Sequence, residues 1–208
     1  MSAIHSERLP LALTPRHPFK IARSEHTRYD HWLVRLEHEG DTGRGEAAPS
    51  RRYGETAGTA AAALDELLPL VGDDPYAIEE IEGRLNSLLW QNASAKAAVS
   101  MALHDLLGRR HGLPLYRWLG LDLNRVPPTS FTIGIDAPEV MRSRVADAEP
   151  FPILKIKLGF DGDVEVLETI RGLTEKPIRV DANEGWTRAG ALARIPVLEE
   201  LAVELLEQ

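Results

Sequence analysis

Two lysines, Lys155 and Lys157, flank one isoleucine in the apolar run 153–158. Successive side chains of a strand point to opposite faces, so both ammonium groups would lie on one face and Ile156 on the other. Two neighbouring ammonium groups disfavour each other's charge, and partial burial lowers the pKa of each. A lysine placed there can act as a base near pH 7. The tripeptide alone favours the alternative, an exposed edge strand with two solvated lysines.

Asp181 and Asn183 have the same spacing of two residues at the end of the next apolar run, Arg179-Val180-Asp181-Ala182-Asn183. Oxygen ligands at the carboxyl end of a strand suit a hard cation such as Mg²⁺. The alternative is a turn, because Asp and Asn side chains stabilise local bends. The segment alone does not decide between the two interpretations.

Glu207 shares one face of a further predicted strand with Val203 and Leu205. It follows Asp181 by about one strand, helix and loop, as expected for neighbouring strands of a parallel sheet. A glutamate near a chain terminus is ordinarily solvated. The assignment of Glu207 to a site therefore depends on the lysines and the aspartate at the preceding strands.

The elements that must position these side chains alternate between strand and helix after Pro127-Pro128. The alternation predicts a parallel sheet built from βαβ units. It contains four strands, half of the eight that close a barrel of ~250 residues. We therefore expect half a barrel, with an exposed edge beside its fourth strand. The predicted strands are 129–135, 153–158, 178–181 and 203–207, and the predicted helices are 138–148, 163–172 and 188–200, the last interrupted by Pro196.

The part of the chain before Arg125 has a different pattern, which predicts a small antiparallel meander followed by helices. Asp105 lies on the apolar stripe of the third helix, and we interpret it as a structural carboxylate. We predict two domains, 1–125 and 126–208. The meander is predicted from 4–13, 32–36 and a turn at 40–45, and the helices at 55–71, at 75–90 and from Asn92 or Ser94 to Gly112.

The composition of the 208 residues excludes several classes of function. A formal net charge of -8 without a cluster of Lys and Arg argues against nucleic-acid binding. The absence of Cys excludes disulfides, zinc thiolates and cysteine nucleophiles. The chain has no apolar run long enough to span a membrane and no signal-peptide pattern near its first residue. We expect a soluble, cytoplasmic protein that binds neither membranes nor nucleic acids.

Motifs along the whole chain resemble the enolase superfamily. Within its mandelate racemase/muconate lactonizing group, they are most similar to dipeptide epimerases of the L-Ala-D/L-Glu epimerase type. The order of the motifs carries the superfamily resemblance, and 181–186 together with Arg23 carries the subgroup resemblance. The matching segments are 18–23, 45–49, 94–99, 112–116, 129–134, 154–159, 179–186 and 204–208.

The resemblance implies an α+β capping domain followed by the first half of a (β/α) TIM-type barrel. It also implies an isomerase that removes the Cα proton next to a carboxylate of an Ala-Glu-like dipeptide, through an enediolate stabilised by one Mg²⁺ per site.

The resemblance also assigns roles to individual residues. Lys157 would be a catalytic acid/base, and Lys155 would lower its pKa and contact the substrate carboxylate. Thr132 and Arg23 would bind substrate, Arg23 by a fork-like pair with a side-chain carboxylate. The metal ligands would be Asp181 and Glu207, and Asn183 would support these ligands without contacting the metal itself.

Members of this family carry a third acidic ligand, a second lysine on the opposite face of the substrate and a late acidic motif that holds the dipeptide's ammonium. All three would fall after residue 208. We therefore expect this chain to be the N-terminal portion of a homo-oligomeric enzyme and to be inactive alone.

Several alternatives share part of this pattern. A muconate-type cycloisomerase, an N-acylamino acid racemase or an o-succinylbenzoate synthase would have the same lysines and metal ligands. A barrel aldolase with Lys155 or Lys157 as a Schiff base would leave Asp181 and Glu207 unexplained. A non-catalytic module that assembles through the open sheet edge is a further alternative.

Overall fold

The structure is a computed structural model that describes residues 2–208. The chain divides into two compact units. The first contains the residues up to Leu13 and Tyr29–Arg125, and the second contains Thr14–Arg28 and Val126–Gln208. Residues 14–28, which the predicted domain 1–125 includes, therefore pack with the second unit.

Strands and helices follow one another in the order that the sequence pattern suggests, with two additional short strands near the start and one additional short helix at Leu115–Trp118. The strands are β1 His5–Leu13, β2 Phe19–Ile21, β3 Ser24–His26, β4 Tyr29–His38, β5 Asp41–Ala47, β6 Ser130–Ile133, β7 Ile153–Lys157, β8 Ile178–Asp181 and β9 Val203–Glu207. The helices are α1 Ala57–Leu67, α2 Ile78–Leu88, α3 Ala93–Arg110, α4 Leu115–Trp118, α5 Pro138–Asp147, α6 Asp163–Arg171 and α7 Arg188–Glu200.

In the first unit, β1, β4 and β5 form an antiparallel sheet in that order, and α3 packs against β5. The prediction of a turn at 40–45 was wrong beyond Gly40, because β5 begins at Asp41. The glycines of β5 allow the strand to pack closely against α3. A Cβ on Gly45 would lie 1.9 Å from the carbonyl oxygen of Ala98 in α3. The strand and the helix can approach this closely only because Gly45 has no side chain.

The three predicted helices of this unit are present as α1, α2 and α3. Asn92 precedes α3, but its side chain does not cap the helix, and the backbone N–H of Ser94 points instead to the carboxylate of Glu55. Asp105 accepts hydrogen bonds from the backbone N–H of Arg44 and from Arg109. Its predicted structural role is therefore confirmed.

The second unit contains a parallel sheet in the order β6-β7-β8-β9, and α5, α6 and α7 connect its strands. Buried aliphatic residues of the strands and helices form one core. Helix α7 continues through Pro196, so the predicted interruption there was wrong. In residues 2–208, β9 pairs with β8 alone, and Leu205 and Leu206 are exposed at this edge, as the pattern predicted.

The strands β2 and β3 form a short antiparallel hairpin in the second unit. The backbone N–H of Ile135, just after β6, donates a hydrogen bond to the carbonyl of Lys20 at 3.0 Å. This contact holds the hairpin at the carboxyl end of β6. Among the described residues, none of the helices combines the length and apolar character that a membrane span requires.

Candidate active site

The register of the parallel sheet aligns the predicted site residues in two neighbouring rows. Lys157 pairs with Asp181, and Asp181 pairs with Glu207, so these three stand side by side at the carboxyl ends of β7, β8 and β9. One row earlier, Thr132 of β6 pairs with Lys155 of β7. Residues in register, or two apart on one strand, share a face, so the sheet brings these five residues to one surface.

Asp181 is the centre of the cluster and is only 2% exposed. Its Oδ2 lies 2.6 Å from Nζ of Lys157 and 3.1 Å from Nζ of Lys155. Its Oδ1 accepts a hydrogen bond from the backbone N–H of Asn183 at 2.9 Å, and the Asn183 amide lies 3.3 Å from Oδ2. The Asp-Ala-Asn segment therefore forms the local bend that one interpretation predicted, and its aspartate belongs to the charged cluster.

Lys155 joins Asp181 to Glu207. Its ammonium nitrogen lies 2.6 Å from Oε2 of Glu207, on the adjacent β9. One positive charge therefore lies between two carboxylates from neighbouring strands. This arrangement shows that the oxygens of Asp181 and Glu207 converge on a position that a cation can occupy.

The carboxylates change the titration of the lysine between them. Burial lowers the pKa of Lys155, but its hydrogen bonds to Glu207 and Asp181 outweigh that effect and leave the pKa raised. The expectation that burial and a neighbouring ammonium lower the pKa of both lysines was therefore wrong for Lys155. The sequence pattern placed Asp181 and Glu207 at the ends of the neighbouring strands, but it did not show that both carboxylates would contact this ammonium.

Burial also acts on Asp181, whose pKa it raises. Hydrogen bonds from Lys157, from the backbone of Asn183 and from Lys155 act in the opposite direction. They outweigh burial, and the pKa of Asp181 is lowered. The carboxylate is therefore ionised at neutral pH, which is the state that a metal ligand or an ammonium partner requires.

The oxygen atoms at this site could supply some, but not all, of the ligands of a hard divalent cation. Asp181 and Glu207 offer carboxylate oxygens, the ligands that Mg²⁺ prefers, and both already contact one ammonium group. Asn183 holds Asp181 in place, and its own Oδ1 is buried without a hydrogen-bond partner. No group of three or more His, Asp or Glu side chains within 2–208 is arranged around a metal position. The two carboxylates would form part of a coordination shell.

Arg23 lies in the turn between β2 and β3, within the same unit as the lysines. Its guanidinium donates to the carbonyl of Asn183 at 3.2 Å and lies 3.4 Å from Oε1 of Glu184. The loop after β8 therefore holds the Arg23 side chain next to the cluster. Glu184 was not among the predicted site residues, because its contact with Arg23 spans 161 residues of the chain and has no local signal.

Comparison with protein families matches both parts of the chain. Residues 8–120 match the family described as "Mandelate racemase / muconate lactonizing enzyme, N-terminal domain". Residues 139–208 match the family described as "Enolase C-terminal domain-like". The fold is accordingly that of the enolase superfamily, an N-terminal capping domain followed by a partial parallel-strand sheet.

Individual relatives agree with these families. The chain is 42% identical over 201 residues to the L-Ala-D/L-Glu epimerase of Bacteroides thetaiotaomicron, covering 96% of this chain and 52% of the relative. The substrate-liganded L-Ala-D/L-Glu epimerase of Bacillus subtilis has a TM-score of 0.88 and 32% identity, covering 100% of this chain and 61% of that one.

A third relative adds a metal ion. The dipeptide epimerase of Enterococcus faecalis V583, complexed with Mg and the dipeptide L-Leu-L-Tyr, has a TM-score of 0.88 and 31% identity, covering 99% of this chain and 60% of that one. The chain spans about half the length of the curated relatives it matches.

Proposed function

The chain belongs to the mandelate racemase/muconate lactonizing enzyme family, and from this premise we propose that its site removes and returns the proton on the carbon next to a dipeptide carboxylate. The observation that carries the proposal is the convergence of Lys157, Lys155, Asp181 and Glu207 at the carboxyl ends of three adjacent strands. The similarity to dipeptide epimerases supports the substrate class.

Lys157 would carry the proton transfer at Nζ. The side chain is 9% exposed and fixed by its contact with Asp181, so a substrate carbon bound beside it would meet a pre-positioned group. As an amine it takes the Cα proton, and as an ammonium it returns one. Epimerisation needs such a group on each face of the carbon, and Lys157 would serve one face. We therefore expect the 208-residue chain not to invert a substrate by itself.

Asp181 and Glu207 would hold one Mg²⁺, with Asn183 orienting Asp181 through the backbone hydrogen bond described above. Bound Mg²⁺ supplies a Lewis acid for the negative charge that develops on the substrate carboxylate. The contacts of both carboxylates with the Lys155 ammonium support this assignment, because they show that Asp181 and Glu207 face one cationic group.

Lys155, Thr132 and Arg23 would bind the substrate. Lys155 and Thr132 face the same surface as Lys157 from the row beneath it, where they can reach the carboxylate that flanks the reacting carbon. Arg23 presents a planar guanidinium beside the loop after β8, which suits a second carboxylate such as the side chain of a glutamyl residue. An acidic dipeptide such as L-Ala-L-Glu is therefore the proposed substrate.

Deuterium exchange tests this proposal. The protein is purified at its natural length, and its intact mass is compared with 23.0 kDa. L-Ala-L-Glu is then incubated with it in D₂O, and the Cα proton signals are followed by NMR. We expect exchange that requires Mg²⁺ and falls by about 10²-fold or more in Lys157→Ala. Lys176→Ala is the matched control, because Lys176 donates to the carbonyls of Ala148 and Glu149 instead.

The outcomes separate the proposal from its alternatives. Exchange that continues with a chelator, or in Lys157→Ala, contradicts the assigned roles. Exchange of an N-acylamino acid without exchange of any dipeptide would assign the chain to a racemase of a different substrate class. Association of the purified chain with no exchange of either substrate would support a non-catalytic assembly module.

A further inference from the structure

Asp163 is the first residue of α6 and is 1% exposed. Its Oδ2 accepts hydrogen bonds from the backbone N–H of Gly159 at 3.0 Å and from the indole N–H of Trp186 at 2.6 Å. Its Oδ1 lies 3.1 Å from Nε of Arg194 in α7. Three donors from the loop after β7, the loop after β8 and the following helix thus meet on one buried carboxylate.

All three partner groups can only donate. A backbone N–H, an indole N–H and a guanidinium N–H have no acceptor atom to offer, so the side chain at residue 163 must accept every bond. An ionised carboxylate does so, and hydrogen bonds to a charged acceptor are stronger than neutral ones. An asparagine has nearly the same shape, but its NH₂ group would face one of these donors and leave it buried without a partner.

These loops lead directly to the reacting groups. Gly159 follows Lys157 by two residues, and Trp186 lies in the loop that begins at Asp181. The carbonyl of Trp186 accepts a hydrogen bond from the side chain of Gln208 at 2.5 Å, next to Glu207. The Asp163 network therefore reaches residues directly after all three strands whose ends carry the site, through the backbone of Gly159, the side chain of Trp186 and the side chain of Gln208.

The two loops touch with no space between their backbones. A Cβ on Gly185 would lie 2.5 Å from the carbonyl oxygen of Gly159, and a Cβ on Gly159 would lie 2.4 Å from the carbonyl oxygen of Ala182. A shift in one loop must then displace the other. A single clamp at Asp163 can therefore hold both loops in register.

We infer that Asp163 is a positioning residue, which holds the loops after β7 and β8 so that Lys157, Asp181 and Glu207 converge. The inference rests on the proposed function for its catalytic consequence, but it makes a separate prediction about cation binding. Groups that orient metal ligands typically change metal affinity or activity by 10–100-fold when they are removed. Asp163 acts through Gly159 and Trp186 and touches none of the reacting atoms.

The test compares Asp163→Asn with a matched control at the other end of the same helix. Arg171, the last residue of α6, donates to the carbonyls of Thr174, Lys176 and Leu201, which lie in loops before β8 and β9. Both Asp163→Asn and Arg171→Gln remove a polar clamp of this unit, so both should lower the melting temperature. Only Asp163 is bonded to the loops after β7 and β8, which adjoin the predicted site residues.

Two measurements on the natural-length protein decide the inference. We expect Asp163→Asn to weaken Mn²⁺ binding at least tenfold in a calorimetric titration, whereas Arg171→Gln leaves it unchanged. Hydrogen exchange followed by mass spectrometry should show faster exchange of 157–163 and 182–187 in Asp163→Asn alone. If that variant does not fold, Trp186→Phe removes one of the three hydrogen bonds and should weaken Mn²⁺ binding by a few-fold.

Unchanged Mn²⁺ affinity in both Asp163→Asn and Trp186→Phe would overturn the inference, as would an equal loss in Arg171→Gln. Loss of Mn²⁺ binding in Asp163→Asn, in a protein that exchanges no dipeptide, would refute the proposed function and support the positioning role. Should the unchanged protein bind no Mn²⁺, the metal assignment fails. Hydrogen exchange of the backbone amides in 157–163 and 182–187 then decides. Faster hydrogen exchange in Asp163→Asn alone supports the positioning role, and equal hydrogen exchange in Asp163→Asn and Arg171→Gln overturns it.

Discussion

The ammonium of Lys157 lies 2.6 Å from the carboxylate of Asp181, and the two side chains are 9% and 2% exposed. A buried pair of this kind repays its desolvation only while both partners are present. Removing one partner leaves an uncompensated charge beneath the site. The pair therefore has consequences for stability that are independent of any substrate.

Asp181→Asn should lower the free energy of unfolding by about 3–5 kcal/mol, because it leaves the Lys157 ammonium buried with a neutral partner. The double variant Lys157→Met/Asp181→Leu should lose less, since neither charge remains. Urea denaturation in the presence of EDTA measures both. Glu204→Gln breaks the more exposed pair with Arg179 and should lower the free energy by about 1 kcal/mol or less. Equal losses for Asp181→Asn and Glu204→Gln would contradict this account.

The same cluster should make stability depend on pH at both extremes. The pKa of Asp181 is lowered, so its contribution is present above its ordinary value of 3.8 and is lost as pH falls through the lower folded value. The pKa of Lys155 is raised, so its contribution is present below 10.5 and is lost as pH rises through the higher folded value. Melting temperatures across pH in EDTA should show a weaker acid dependence in Asp181→Asn and a weaker alkaline dependence in Lys155→Met. A Lys155→Met protein with the full alkaline dependence would refute the second assignment.

Lys155→Met should bind Mg²⁺ about tenfold more tightly than the unchanged protein. The Lys155 ammonium lies between Asp181 and Glu207, so a cation must displace it, and a competing interaction of about 1.4 kcal/mol corresponds to this factor. Calorimetric titration of the metal-free protein measures the affinity. Weaker Mg²⁺ binding in Lys155→Met would indicate that the lysine supports the cation site instead of competing for it.

Gly185→Ala should destabilise the second unit by about 1–3 kcal/mol, because its Cβ would lie 2.5 Å from the carbonyl oxygen of Gly159. The control is Gly172→Ala. Gly172 has a φ of -65°, and the nearest atoms to its Cβ would be at 3.5 and 3.6 Å. Its replacement should be neutral or raise stability by up to about 1 kcal/mol. Thermal denaturation of both variants checks the difference, which should vanish if the two loops have room to separate.

Arg23→Gln should raise KM for L-Ala-L-Glu by about 10–100-fold and leave KM for L-Ala-L-Ala nearly unchanged. The Arg23 guanidinium would bind only the side-chain carboxylate of the glutamyl residue, which L-Ala-L-Ala lacks. Hydrogen bonds to charged groups contribute about 1.5–3 kcal/mol. Steady-state rates of the natural-length protein on the two dipeptides provide the comparison, with the neutral dipeptide as internal control. A similar rise on both substrates would assign Arg23 to holding the loop at Asn183 and Glu184.

The residue pattern predicted the parallel sheet, placed Lys155 and Lys157 on one face of a strand, and placed Asp181 and Glu207 at the ends of the next two strands, although each segment taken alone left an alternative open. Strand periodicity and the succession of strand and helix are local properties, so they can be followed along the chain. The helices of the first unit were predictable for the same reason. Arg23 and Thr132 entered only through resemblance to a family.

Only the tertiary structure decided what these side chains contact. The hairpin that carries Arg23 reaches a loop 160 residues later in the chain, and Lys155 lies between carboxylates of two other strands. Asp163 had no signal of its own in the sequence, because an acid at the start of a helix ordinarily caps it or is solvated. Its role depends on three donors that come together only when the strands are aligned. Long-range contacts of this kind determine both the raised pKa of Lys155 and the clamp at Asp163, because the charges and donors involved are distant in sequence and adjacent in space.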